Sequence, residues 1–249
     1  MRWYSCSLCE QNYHGIVFCA LGWACWKTYV GWPEADEARG LAIGVLGTGL
    51  FSAGYSEAAL SVTEAELSME RRIGAPEKNI LAVQSNLANT YASLGRGKSA
   101  LRIRQDVYSK CLRNYGEENE STFRAADNYA VSLVNLQLYA EAKVLLRKTA
   151  PMARRILGES NELTLRMRKV DAIALYKADG ATLRDLREAV ATLEDTARIA
   201  RRVFGGNHPL ATGIGREIQI SRAALDACET PSGSSEVLQT ADDLAAHFG

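Results

Sequence analysis

The sequence predicts an all-α fold, a right-handed superhelical solenoid of antiparallel helix pairs. Three observations predict it. The chain repeats every 42 residues: Ala58, Ala100 and Ala142 keep that spacing, as do Gly74, Gly116 and Gly158. Aligned on that period, Asn86 falls on Asn128, Ala88 on Ala130 and Ala172, and Tyr91 on Leu133 and Leu175. Inside each repeat, apolar residues recur at three and four positions, the helical period, and glycines separate the stripes. A fixed period of this size marks one supersecondary unit stacked on copies of itself. Such arrays present surfaces and seldom enclose a catalytic pocket, so the chain is expected to hold another molecule.

The elements follow in order. Residues 1–34 contain all four tryptophans (Trp3, Trp23, Trp26, Trp32), four of the six cysteines and few charges. No amphipathic period marks this segment, and it is expected to stand apart from the array. Residues 35–76 form a degenerate first unit whose first helix holds Gly40, Gly44, Gly47 and Gly49. Each glycine costs a helix up to ~1 kcal/mol against alanine. Its second helix, Tyr55 to Ile73, is strong. The unit 79–120 carries Leu81, Leu87, Ala88, Tyr91 and Leu94, then Ala100, Ile103, Val107, Tyr108 and Leu112, with Gly95-Arg96-Gly97 as the turn. The unit 121–162 repeats the pattern with Tyr129, Ala130, Leu133 and Leu136, then Ala142, Leu145, Leu146 and Met152. The unit 163–208 has about five extra residues near Asp179 to Asp185, in the loop where a solenoid tolerates insertion. Residues 209–228 read as one capping helix, and 229–249 as a linker with a short C-terminal helix over 236–248.

Lysine and arginine number 29 and the acidic residues 29, so no gross field recruits nucleic acid or an anionic membrane. Ile16 to Val30 is apolar, but a membrane span needs about 20 such residues and Lys27 interrupts this one. The cysteine distribution is unlike a secreted disulfide framework, and a cytoplasmic protein is expected. The histidines His14, His208 and His247 have no nucleophile in a fixed partnership, so no enzyme is expected. Ala92 to Ser99 fits a relaxed phosphate-loop string, but it follows a helix where a phosphate loop follows a strand. No cofactor is expected beyond one candidate metal. Cys6-x2-Cys9-x4-His14-x4-Cys19 has zinc-knuckle spacing, three thiolates and an imidazole for a closed tetrahedral site. On this alternative reading the N-terminus is a zinc module and the repeats are a spacer or dimerisation element.

Three motifs carry a family resemblance: Asn86-Leu-Ala-Asn-Thr-Tyr91, Tyr139-Ala-Glu-Ala142 and Gly205-Gly-Asn-His208-Pro209. The chain resembles the 42-residue tetratricopeptide repeat of kinesin light chains over about 190 residues. The resemblance implies a protein-interaction scaffold whose first helices line a concave groove. It also implies that the groove takes peptides with an aromatic residue flanked by acids. Mapped onto this sequence, the groove positions include Ser85 and Asn89, then Arg124, Asp127 and Asn135, then Arg166, Lys169, Tyr176 and Lys177. These run from small and neutral to basic, which suits an acidic partner peptide.

Overall fold

The computed structural model describes residues 3–6 and 8–229. The expected linker and helix beyond residue 229 lie outside the described residues. The chain order is α1 (Gly15–Tyr29), α2 (Glu37–Ser52), α3 (Ser56–Arg72), α4 (Glu77–Ser93), α5 (Gly97–Tyr115), α6 (Glu120–Asn135), α7 (Tyr139–Leu157), α8 (Glu162–Tyr176), α9 (Leu183–Phe204) and α10 (Pro209–Glu229). Two compact units divide between Val107 and Tyr108, inside α5.

In the N-terminal unit, α1 forms although no stripe marks it. It is apolar on every side, so a 3.6-residue pattern has no contrast to show. It buries Phe18, Gly22 and Cys25. A Cβ on Gly22 would lie 2.9 Å from the Val45 carbonyl oxygen and 3.0 Å from the Leu46 Cα. A Cβ on Gly49 would lie 2.9 Å from the Phe18 carbonyl oxygen and 3.0 Å from the Cys19 Cα. The two helices therefore run antiparallel with their backbones in contact. Gly15 N–H closes the pair by donating to Ser52 Oγ at 2.9 Å. Residues 1–34 thus do not stand apart, contrary to the sequence expectation: α1 packs on α2 as its neighbour.

The glycines of α2 are contact residues on two faces. Toward α3, a Cβ on Gly44 would meet Glu66 Oε1 at 2.8 Å, one on Gly40 would meet Glu70 Oε1 at 3.3 Å, and one on Gly47 would meet Thr63 Oγ1 at 3.2 Å. Their absent side chains make room for buried Glu66, Glu70 and Thr63. Burial, and then the Glu70 charge, push the Glu66 carboxyl up to about 7. Further along, Leu60 and Leu67 of α3 pack with Val83 and Leu87 of α4.

The C-terminal unit has two joined cores. Phe123, Ala126, Ala130, Leu146, Ala153 and Met167 fill one, and Leu165, Leu175, Leu186, Leu193, Ile199 and Ile214 fill the other. The 42-residue glycines have a backbone cause: Gly74, Gly116 and Gly158 all take positive φ, at 65°, 82° and 91°. That left-handed conformation ends a helix and costs glycine nothing. Gly205 plays the same part (φ 89°), 47 residues after Gly158. The five extra residues sit in the α8–α9 connector, which closes on Thr182. Its hydroxyl accepts from Asp185 N–H, and Asp185 Oδ2 accepts from Thr182 N–H at 3.0 Å, a capping box. These bonds, with Lys143 beside them, hold the Asp185 carboxyl down to about 2.

Candidate functional site

The first helices of successive repeats in the C-terminal unit, α6, α8 and α10, lie side by side. Between them runs a depression made of two adjoining parts of about 410 Å³ and 400 Å³. Val131, Lys169 and Val170 line both parts. Val134 of α6 and Ile173 of α8 extend the apolar floor. The polar rim carries Asn135, Gln137, Lys177 and Glu217 at one end, and Glu162, Arg166 and His208 at the other.

The rim's two lysines are free of ion pairs among the described residues. Lys169 Nζ lies against Gly213 of α10, where a Cβ would be 3.2 Å away. Lys177 Nζ is 6.0 Å from the Tyr176 ring centroid. At the α6–α7 turn, Gln137 takes φ 60°, an uncommon conformation for a residue with a side chain, and lines the depression. His208 Nδ1 accepts the Leu210 N–H at 3.3 Å, and its ring stacks on Phe204. Pro209 then opens α10 at the position where a missing N–H costs no helical bond.

The structure sorts the expected groove residues into three groups. Asn135, Arg166, Lys169 and Lys177 line the depression. Asp127 does not: it is fully buried, and its Oδ2 pairs with Arg166 at 2.6 Å. It holds the Arg166 guanidinium and, being covered, offers nothing to a partner. Tyr176 is also buried, its hydroxyl donating to Glu217 Oε2 at 2.7 Å. Arg124 is exposed on the first turn of α6 and pairs with Glu120 at 2.5 Å, away from the depression. Ser85 and Asn89 belong to α4 in the N-terminal unit. There Ser85 donates to its own helix and Asn89 accepts from Arg104 at 2.8 Å. The helix α10, read from sequence only as a cap, supplies Leu210, Gly213 and Glu217. The repeat register held the signal, since α10 occupies the first-helix place of a further unit.

A second depression, of about 610 Å³, lies on α7, α8 and α9 and collects Arg147, Arg154, Arg155 and Arg168. It is larger than either part of the first depression taken singly, but its charge is mostly spent internally. Arg154 pairs with Glu159, Arg155 with Glu118, and Arg168 with Asp195 at 2.8 Å. Burial pushes the neighbouring Asp171 carboxyl up to about 6, with Arg147 opposing. The two lysines of the first depression, free of ion pairs among the described residues, set it apart from the second.

The candidate metal ligands do not assemble. Among the described residues no three His, Cys, Asp or Glu side chains come together to hold a metal ion. Cys6 and Cys9 sit in the turn before α1, His14 is the N-cap of α1, and Cys19 lies one turn inside that helix. The Cys6, Cys9, His14, Cys19 set is therefore not a formed zinc site in this structure. Among the described residues no helix is long and apolar enough to cross a membrane.

A row of antiparallel helix pairs whose first helices line a charged depression defines the class: a helical-repeat scaffold. The tetratricopeptide repeat family model matches residues 80–120, 122–162 and 181–210, so these three segments of the chain are similar to tetratricopeptide repeats. Its fold is an all-α superhelical solenoid. Among solved structures it is similar to nearly identical TPR-like repeats from Podosopora anserina, assigned to a kinesin light chain, at 18% identity and TM-score 0.63, covering 86% of this chain and 98% of that one. It is also similar to BtubC (BKLC) of P. vanneervenii, at 15% identity and TM-score 0.55, covering 88% and 95%. A Rap protein complexed with Competence and Sporulation Factor matches at 15% identity and TM-score 0.53, covering 85% of this chain and 58% of that one. At these identities the likeness concerns the fold. No curated protein matches the chain.

Proposed function

We propose that this chain is a cytoplasmic, non-catalytic scaffold that holds an acidic peptide segment of a partner protein in the depression between α6, α8 and α10. One observation carries the reading: Lys169 and Lys177 stand without an ion pair among the described residues, over an apolar floor of Val131, Val134, Val170 and Ile173. Two ammonium groups beside an apolar strip suit a segment in which carboxylates flank a large apolar side chain. The carboxylates gain charge-assisted hydrogen bonds, and the apolar residue leaves water. Arg166 adds a third cation at the other end, held in place by buried Asp127. The Rap protein, which is similar in fold, was solved with a bound factor, and this supports a ligand-holding role for the fold.

The test is selection from a displayed peptide library on the wild-type chain, followed by affinity measurement on a Lys169→Glu, Lys177→Glu variant. Selected peptides should be rich in Asp and Glu around an apolar residue. The variant should bind them roughly tenfold to a hundredfold more weakly, at an unchanged melting temperature. Arg166 is left alone, because its loss would remove an ion-pair partner of the buried Asp127 carboxylate and confuse folding with binding. Peptides without acidic residues, or equal binding by the variant, would reject the reading.

A further inference from the structure

Helices α7 and α9 both pack on α8 and, among the described residues, not on each other. The depression of about 610 Å³ is the gap they leave. Arg147, Pro151, Arg154 and Arg155 fall on one face of α7 and line it. Arg168 and Asp171, three apart on α8, form its floor, and Thr192 of α9 stands on the far wall.

Not all of this charge is spent. Arg147 is exposed and takes part in no ion pair among the described residues. The Arg168 side chain is only 15% exposed. Its Nη2 donates to Asp195 Oδ2 at 2.8 Å, whereas its Nη1 is buried with no hydrogen-bond partner among the described residues. Asp195 also pairs with Arg198, so one carboxylate serves two guanidinium groups. The Arg154–Glu159 and Arg155–Glu118 pairs are exposed at both partners, and such pairs exchange partners at little cost. Pro151 adds an acceptor. It has no N–H to give the Arg147 carbonyl oxygen, one turn back, its helical bond. An unmatched backbone acceptor therefore lies beside unmatched guanidinium donors.

We infer that this depression is a second binding site, which holds a phosphorylated side chain on a peptide segment of a partner. Arg147 and the open Nη1 edge of Arg168 take the phosphate oxygens, for which planar guanidinium donors are well shaped. Arg154 and Arg155 turn from their exposed carboxylates to the dianion. The Arg147 carbonyl and the Asp171 carboxylate accept backbone N–H groups of the same segment. Phosphate fits better than carboxylate because four guanidinium groups line one depression, and a phosphate brings about two charges and three acceptor oxygens. The depression is an open trough between two helices, which suits a segment lying along it more than a small molecule enclosed on all sides.

The test measures fluorescence anisotropy of labelled nonapeptide pools with the full chain. One pool is centred on phosphoserine and one on serine, with mixed residues elsewhere. The phosphorylated pool should bind at least about tenfold more tightly. Arg147→Glu should remove most of that preference. Arg168→Lys, which keeps a charge beside Asp195 but loses the guanidinium fork, should remove part of it. Arg147 is exposed, so its variant should melt as the wild type does, and Arg147→Gln takes its place if it does not. The Lys169→Glu, Lys177→Glu variant should keep the full preference, which separates this site from the depression between α6, α8 and α10. Equal binding of the two pools would overturn the proposal. So would a preference that survives Arg147→Glu and Arg147→Gln, or one that is lost in the lysine variant. Inorganic phosphate binding as tightly as the phosphorylated pool would mark an adventitious ion only, and would overturn it too.

Discussion

Helices α2 and α8 are packed against their neighbours by opposite means. The helix α2 meets α1 and α3 by lacking side chains. Gly49 lets the α1 backbone touch it, and Gly40, Gly44 and Gly47 leave space for Glu70, Glu66 and Thr63. The helix α8 meets its neighbours by interlocking large side chains: Leu165 and Met167 are fully buried, and Val170, Ile173, Leu175 and Tyr176 nearly so. One repeat plan therefore tolerates two solutions. The first is sensitive to added volume and the second to lost volume.

Four measurements break or sharpen that contrast. All four tryptophans lie in residues 1–32, so fluorescence reads the N-terminal unit while far-ultraviolet circular dichroism reads every helix. The largest effect is expected from Leu165→Ala. Removing a fully buried leucine should cost about 3–4 kcal/mol, seen as an early circular dichroism transition with the fluorescence midpoint unmoved. If both signals shift together, the two units unfold as one and the contrast loses its thermodynamic meaning.

Next comes Gly49→Ala, a gain of one methyl group. It should cost about 2 kcal/mol and should move the fluorescence transition, because the new carbon meets α1 backbone. A neutral or stabilising result would show that α1 can slide on α2.

Then comes the buried carboxylate. The Glu66 pKa is raised from 4.5 to about 7 in the folded chain, so the folded state holds the proton more tightly than the unfolded state. Its contribution is fully favourable below about pH 4.5 and is lost as pH rises through 7. Glu66→Gln should therefore flatten this part of the pH profile. It should raise the stability of the N-terminal unit by about 1–3 kcal/mol at pH 8 relative to wild type. Equal pH profiles for the two proteins would show that the carboxylate is solvated. The smallest effect belongs to Arg187→Ala on the exposed Arg187–Glu229 pair, 2.8 Å apart, where a melt should detect no change.

Much of the array was legible because its signals are local. The helices α4 to α9 follow apolar stripes, and Gly74, Gly116 and Gly158 mark a backbone conformation that one residue type supplies. Arg166, Lys169 and Lys177 share a helix face by their spacing, and all three line the depression. Three things were not legible. The helix α1 carries apolar residues all round and so shows no period. The glycines of α2 look like defects until α1 and α3 stand against them. Asp127 and Tyr176 lie at inward positions of their helices, yet Arg166 and Glu217 draw them under the surface.

The sequence by itself determined the repeat, its register, the helix ends and the basic residues that share one face of α8. Each of these depends on residues near one another in the chain or on a strict period. Only the tertiary structure decided which residues line the depression and which are covered, that α10 completes the depression, and that Cys6, Cys9, His14 and Cys19 do not assemble into one site. Those outcomes turn on which atoms from distant segments reach within a few ångströms of each other. Composition and spacing do not carry that distance information.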